Sequence, residues 1–143
     1  MFAQPTKKRM KGLVSATIVL ILVVAFITPA TFARIVRNTV DSVATVTDNG
    51  RQIIVTGPMA CIESQRADLR VTVTQRSTGA VAEGRALVTC TGDTLQWEVH
   101  VLIQGKETFE EGPAIAVAIA STSDRGDTDD AHQWLVSIRL VRE

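Results

Sequence analysis

Residues 42–56 read SVATVTDNGRQIIVT, and their pattern decides the fold class. Two segments of alternating character, Ser42–Thr47 and Arg51–Thr56, flank Asp48-Asn49-Gly50. Asn and Gly both tolerate the positive φ of a type I′ turn, so Asn-Gly between alternating runs predicts a β-hairpin. A period of two sends successive side chains to opposite faces, which is the signature of a half-buried strand.

The same period continues toward the C-terminus. In Leu69–Gln75 (LRVTVTQ), Leu69, Val71 and Val73 take one face and Arg70, Thr72 and Thr74 the other. Ser77-Thr78-Gly79 turns the chain into Ala80–Cys90 (AVAEGRALVTC), where Gly84 predicts a bulge. Thr91-Gly92-Asp93 leads to Thr94–Gln104 (TLQWEVHVLIQ), with Leu95, Trp97, Val99, Val101 and Ile103 on one face. Gly112-Pro113 opens Ala114–Ser121 (AIAVAIAS). Gln133–Val141 (QWLVSIRLV) ends the domain with Trp134, Val136, Ile138 and Leu140 in register. Seven strands separated by turn signals in about 100 residues predict an all-β domain, an antiparallel, Ig-like β-sandwich over residues 42–143.

Upstream the character changes. Residues 1–12 carry Lys7, Lys8, Arg9 and Lys11; residues 13–27, LVSATIVLILVVAFI, are uncharged and apolar; Thr28–Ala33 are mostly small. That order is the pattern of a secretory signal peptide, with Ala30 and Ala33 as candidate cleavage positions. An uncleaved anchor is the rival. The uncharged run from Gly12 to Ala33 forms an apolar helix long enough to cross roughly 30 Å of hydrocarbon, and the basic flank keeps the N-terminus inside. Residues 1–33 are thus signal peptide or signal anchor, with residues 13–33 in the membrane if uncleaved, and residues 34–41 form a linker. A third reading is a pilin-like subunit cut after Gly12. Phe32, Ile35, Val36, Val40 and Val43 hold helical spacing, although Thr17 stands where bacterial type IV pilins carry Glu.

The formal net charge is zero, yet residues 34–143 hold 11 basic and 15 acidic residues, a net charge of −4. Such a domain has no electrostatic basis for nucleic-acid binding. Cys61 and Cys90 are the two cysteines. In an exported domain an even number predicts a disulfide, here closing a loop of about 30 residues and contributing roughly 3–4 kcal/mol. C-x-x-C spacing, which redox or zinc chemistry needs, does not occur.

The remaining chemistry-bearing residues form no catalytic pattern. His100 and His132 are too few for a zinc site on their own. Glu110 and Glu111 are neighbours in a turn and point apart, and a G-x-S-x-G elbow is missing. Ser121–Ala131 (STSDRGDTDDA) reads as a solvated acidic loop. Within it Asp124, Asp127, Asp129 and Asp130 are weak candidate oxygen ligands for Ca²⁺, at a spacing that departs from the EF-hand. The embedded Arg125-Gly126-Asp127 is an integrin-type tripeptide, short enough to arise by chance. No cofactor is required.

Ile53-Ile54-Val55-Thr56-Gly57 leading to Cys61, Val88-Thr89-Cys90-Thr91-Gly92 leading to Trp97, and Phe109 followed by Glu110-Glu111-Gly112-Pro113-Ala114 carry a resemblance. From about Val43 to Val141 the chain resembles small secreted actinobacterial proteins of an uncharacterised family. The resemblance implies a signal peptide, one disulfide and a β-sandwich, and no activity. The resulting expectation is a non-catalytic extracytoplasmic module, secreted or tethered to the cytoplasmic membrane and facing outward. Its role would be interaction or structure at the cell surface, with an unidentified surface partner. The alternatives are a pilin-like filament subunit and, behind it, a divalent-metal hydrolase using the Asp124–Asp130 loop and a histidine.

Overall fold

A computed structural model describes residues 35–124 and 127–143. Their regular structure is β throughout, apart from a single 3-10 turn at Asp48–Gly50. The strands are β1 (Ile35–Asn38), β2 (Val43–Thr47), β3 (Gln52–Cys61), β4 (Arg66–Gln75), β5 (Ala80–Thr89), β6 (Thr94–Ile103), β7 (Gly112–Asp124) and β8 (Asp127–Arg142). The seven predicted strands sit where the alternation put them, most of them longer than expected. β3 runs straight through Gly57-Pro58, and the acidic Ser121–Ala131 stretch is the tip of the β7–β8 hairpin rather than a loop.

The sandwich is corrected to a closed barrel. Neighbours run β3-β2-β8-β7-β4-β5-β6, and β6 returns to β3 through nine paired positions from Gln52↔Leu102 to Ala60↔Thr94. The ring is not wholly antiparallel either: β2 meets β8 in parallel, Val43↔Arg139 to Val46↔Arg142. A sandwich keeps two faces about 10 Å apart with bulky residues on both. Here the inward positions of β7 are Ala114, Ala116, Ala118 and Ala120, all buried. A wall that thin on its inner side can curl until the sheet meets itself, and a small barrel fills its interior with side chains.

Two inward glycines let strands approach more closely than a Cβ allows. At Gly57 a Cβ would lie 2.2 Å from the Thr39 carbonyl oxygen and 2.6 Å from the Trp97 ring. At Gly84 it would lie 2.4 Å from the His100 carbonyl oxygen. The bulge predicted at Gly84 is absent, since β4 and β5 pair without interruption from Arg66↔Thr89 to Gln75↔Ala80. The glycine serves instead as the point where β5 presses onto β6, an approach that leaves no room for a Cβ.

The segment read as a helically spaced linker contains a strand. β1 pairs with β3 beyond the reach of β2, Ile35↔Cys61 to Asn38↔Met59, with a bulge between Ile35 and Arg37. Ile35 and Val40 are buried in the core. The Asn-Gly hairpin is present as β2–β3, with Asp48, Asn49 and Gly50 all at positive φ. Residues 1–33, including the candidate cleavage positions Ala30 and Ala33, the apolar helix and the pilin-like cut, lie outside the described residues.

Each end of the barrel is covered in its own way. At one end Phe109 is buried beneath its loop, its N–H donating to the Gly50 carbonyl at 2.9 Å. The fully buried Gln75 holds the next residue. Its Nε2 donates to the Glu110 carbonyl and its Oε1 accepts the Glu110 N–H, both at 2.9 Å. At the other end Cys61 and Cys90 form the predicted disulfide, with Cα atoms 5.3 Å apart.

Candidate functional site

The sequence-predicted site residues do not converge. Both cysteines are buried in the disulfide, so neither is a free thiol. Asp124 and Asp127 face each other as the last pair of the β7–β8 hairpin. The side chains of Asp124, Asp127 and Asp129 lie outside the described residues. Asp130 is committed elsewhere: its Oδ2 accepts the Ile35 N–H at 2.9 Å and lies 3.2 Å from His132 Nε2. It therefore ties β1 to β8, a link that the loop reading missed. Among the described residues no three His, Cys, Asp or Glu side chains gather as a metal site would require.

His100 lies half-exposed on the outer wall. Gln52 Nε2 donates to its Nδ1 at 2.6 Å, which leaves the proton on Nε2 to be given to Glu98 at 2.8 Å. This row is a cross-strand polar ladder spanning β3 and β6. Glu110 is bonded through its backbone to Gln75, and the Glu111 carboxylate accepts the Arg142 N–H at 3.0 Å, so the two residues make separate contacts.

The surface that does have binding character lies on the outer wall of β4, β7 and β8. Strand alternation turns Ile115, Val117 and Ile119 of β7 outward, and Leu135 of β8 beside Val117. Leu135 is 65% exposed and Ile119 40%. The β4–β5 wall is built differently. There Arg70 and Glu83 approach to 3.5 Å and Arg85 and Asp68 to 2.7 Å, a charge ladder that favours water.

The apolar strip runs down into a groove of about 440 Å³. Pairing of β4 with β7 stops at Thr74↔Ile115, and below that point β4 leaves for its turn while β7 continues to Gly112. The splay opens the groove. Its lining includes Thr74, Arg76, Ser77, Pro113, Ile115 and Ser137: one cation, three hydroxyls and an aliphatic side. Arg139 pairs with Pro113 and is exposed beside it. The ion pairs of the described residues involve neither Arg76 nor Arg139. Arg76 and Arg139 thus flank Pro113 from strands two spacings apart, about 10 Å, within the span of two extended arginine side chains.

No protein-family model matches the chain, and no curated protein matches it. The groove's size falls within the 300–1,000 Å³ range of small-molecule sites, and its mixture of apolar wall and few polar groups is what such sites use. Its lining residues include hydroxyls and one guanidinium but no nucleophile–base pair. Neither arginine could be singled out from sequence, because they stand on strands far apart in the chain. The partial signal was AIAVAIAS itself, whose Ile115, Val117 and Ile119 alternate with alanines and must face outward if the alanines face in.

Proposed function

We propose that this chain is a non-catalytic binding module that works outside the cytoplasm, secreted or held at the membrane, and that it binds through the outer wall of β7 and β8. The observation that carries the reading is the outward row of half-buried Ile115 and Val117 with exposed Ile119 and Leu135, running into a groove lined by Arg76 with Arg139 beside it, neither arginine ion-paired among the described residues. A contiguous outward row of aliphatic side chains, two of them exposed, is the kind of surface that marks interaction sites. The Cys61–Cys90 disulfide supports the address, since such bonds persist in oxidising compartments. The resemblance to small secreted proteins is in line with it.

The address is tested by the intact mass of the natively produced protein. A chain beginning at Thr31 or Arg34 and gaining about 2 Da on reduction, as the disulfide opens to two thiols, supports export with processing. A full-length mass with the same gain supports a tethered domain. A chain with free thiols overturns the extracytoplasmic reading. The working surface is tested by placing a photo-crosslinking residue at Leu135 and, as control, at Leu87, which is 72% exposed on the opposite side of β4. Discrete adducts in producing cells are expected from position 135 and none from position 87. Equal yields from both positions would sink the assignment of this wall.

A further inference from the structure

Resting on that reading of the outer wall, we propose that the groove binds the phosphate head of a lipid-like alkyl phosphate, with the alkyl chain along the Ile115–Val117–Leu135 strip. The head position follows from the donors. Arg76 lines the groove at the end of β4, Arg139 stands beside Pro113 on β8, and the hydroxyls of Thr74, Ser77 and Ser137 complete the rim. A phosphate offers several acceptor oxygens and a charge close to two at neutral pH. Guanidinium forks meet such oxygens two at a time, and charge-assisted bonds of this type are about twice as strong as neutral ones.

Glu111 stands two residues before Pro113, just ahead of β7. It already accepts the Arg142 N–H and is not ion-paired to either groove arginine. The two arginines therefore keep their charge for a ligand. This pocket is a local exception on a domain whose net charge is −4, so the attraction is confined to the groove and does not spread over the surface.

The tail position follows from the strip. Thr74, Ile115 and Ser137 form one cross-strand row, and Thr72, Val117 and Leu135 the next row up. From Ile115 to Ile119 the outward side chains cover about 13 Å of strand, room for an alkyl chain to lie along β7. A free inorganic phosphate would gain nothing from Ile115, Val117 or Leu135. A lipid carrying the phosphate uses both halves of the surface, which is why the lipid source is preferred.

The test is a titration of the isotope-labelled full chain with inorganic phosphate, hexyl phosphate and hexanol, followed through the backbone amides of Thr74, Ile115 and Ser137. Hexyl phosphate is expected to shift these amides saturably and about tenfold more tightly than inorganic phosphate. Each methylene that leaves water is worth up to about fourfold. Arg76→Gln and Arg139→Gln should each weaken hexyl phosphate binding about tenfold, the loss of a charge-assisted hydrogen bond. Arg85→Gln on β5, whose partner is Asp68, should change nothing. Equal affinity for hexyl and inorganic phosphate would mean a phosphate site without a lipid, and overturns the proposal. Hexanol shifting the same amides as strongly, or arginine variants without effect, would reduce the groove to an apolar patch and also overturn it. If hexyl phosphate fails while position 135 still crosslinks, the outer wall remains the binding surface and only the ligand assignment falls.

Discussion

The two ends of the barrel solve one problem by different means. The plugged end is closed by complementarity. Phe109 fills the opening, and the polar groups it covers find partners in the protein, the Gln75 amide with Glu110 and the Phe109 N–H with Gly50. The stapled end is closed by a covalent bond between β3 and the start of the loop after β5. Asn38, Gln65 and Thr122 there bury side-chain polar atoms with no protein partner, and Trp97 and Trp134 do so in the middle of the wall. None of these orphans lies at the plugged end. A closure that depends on fit cannot tolerate unpaired polar groups, because each costs about 1–3 kcal/mol. A covalent closure can carry them.

The largest blow to this contrast should come from Phe109→Ala. The side chain is almost fully buried and is the largest in the fully buried core. A loss of about 3–5 kcal/mol is expected, the usual cost of removing a buried aromatic, measured by denaturant unfolding. A loss below about 1 kcal/mol would mean that the loop is not a plug. Next comes the other closure. Replacing both Cys61 and Cys90 by Ala should cost roughly 3–4 kcal/mol by the loop-entropy relation. If the ends are independent, the triple variant should show the sum within about 0.5 kcal/mol, as distant sites do. A strongly non-additive result would show that the plug and the staple are one cooperative device.

The strands of both ends were readable from alternation, because Leu69, Val71 and Val73 or Trp97, Val99 and Val101 announce their face within one segment. Closure was not readable. Alternation says which side chains point inward and is silent on which strand lies beside which, so β6 meeting β3 and β2 meeting β8 in parallel left no local trace. The clue was indirect: the alanines of β7, and Gly57 and Gly84 at inward positions, describe a narrow interior rather than two bulky faces. β1 was misread for a specific reason. Its bulge between Ile35 and Arg37 breaks the period of two, and two buried residues of opposite parity, Ile35 and Val40, then imitate helical spacing. The disulfide was legible because two cysteines leave only one pairing. The groove was not, because Arg76 and Arg139 become neighbours only after β4, β7 and β8 assemble.

The sharpest comparison between the ends uses one kind of substitution at both, an amide exchanged for an apolar side chain of similar shape. Gln75→Met removes an amide bonded at both its polar atoms and strands the Glu110 N–H and carbonyl, and Thr78 loses its acceptor at 3.2 Å. A loss of about 2 kcal/mol is expected, the cost of leaving partners unpaired. Asn38→Leu does the opposite at the stapled end. Both amide atoms of Asn38 are buried without a protein partner, so the exchange removes a desolvation penalty and orphans nothing. It should be neutral or stabilise the barrel by about 1 kcal/mol. Thermal unfolding of the two single variants, side by side, reads the difference in sign. If Asn38→Leu instead destabilises as much as Gln75→Met, its amide is satisfied by something other than the protein. The stapled end would then be a second polar binding position rather than a tolerated defect.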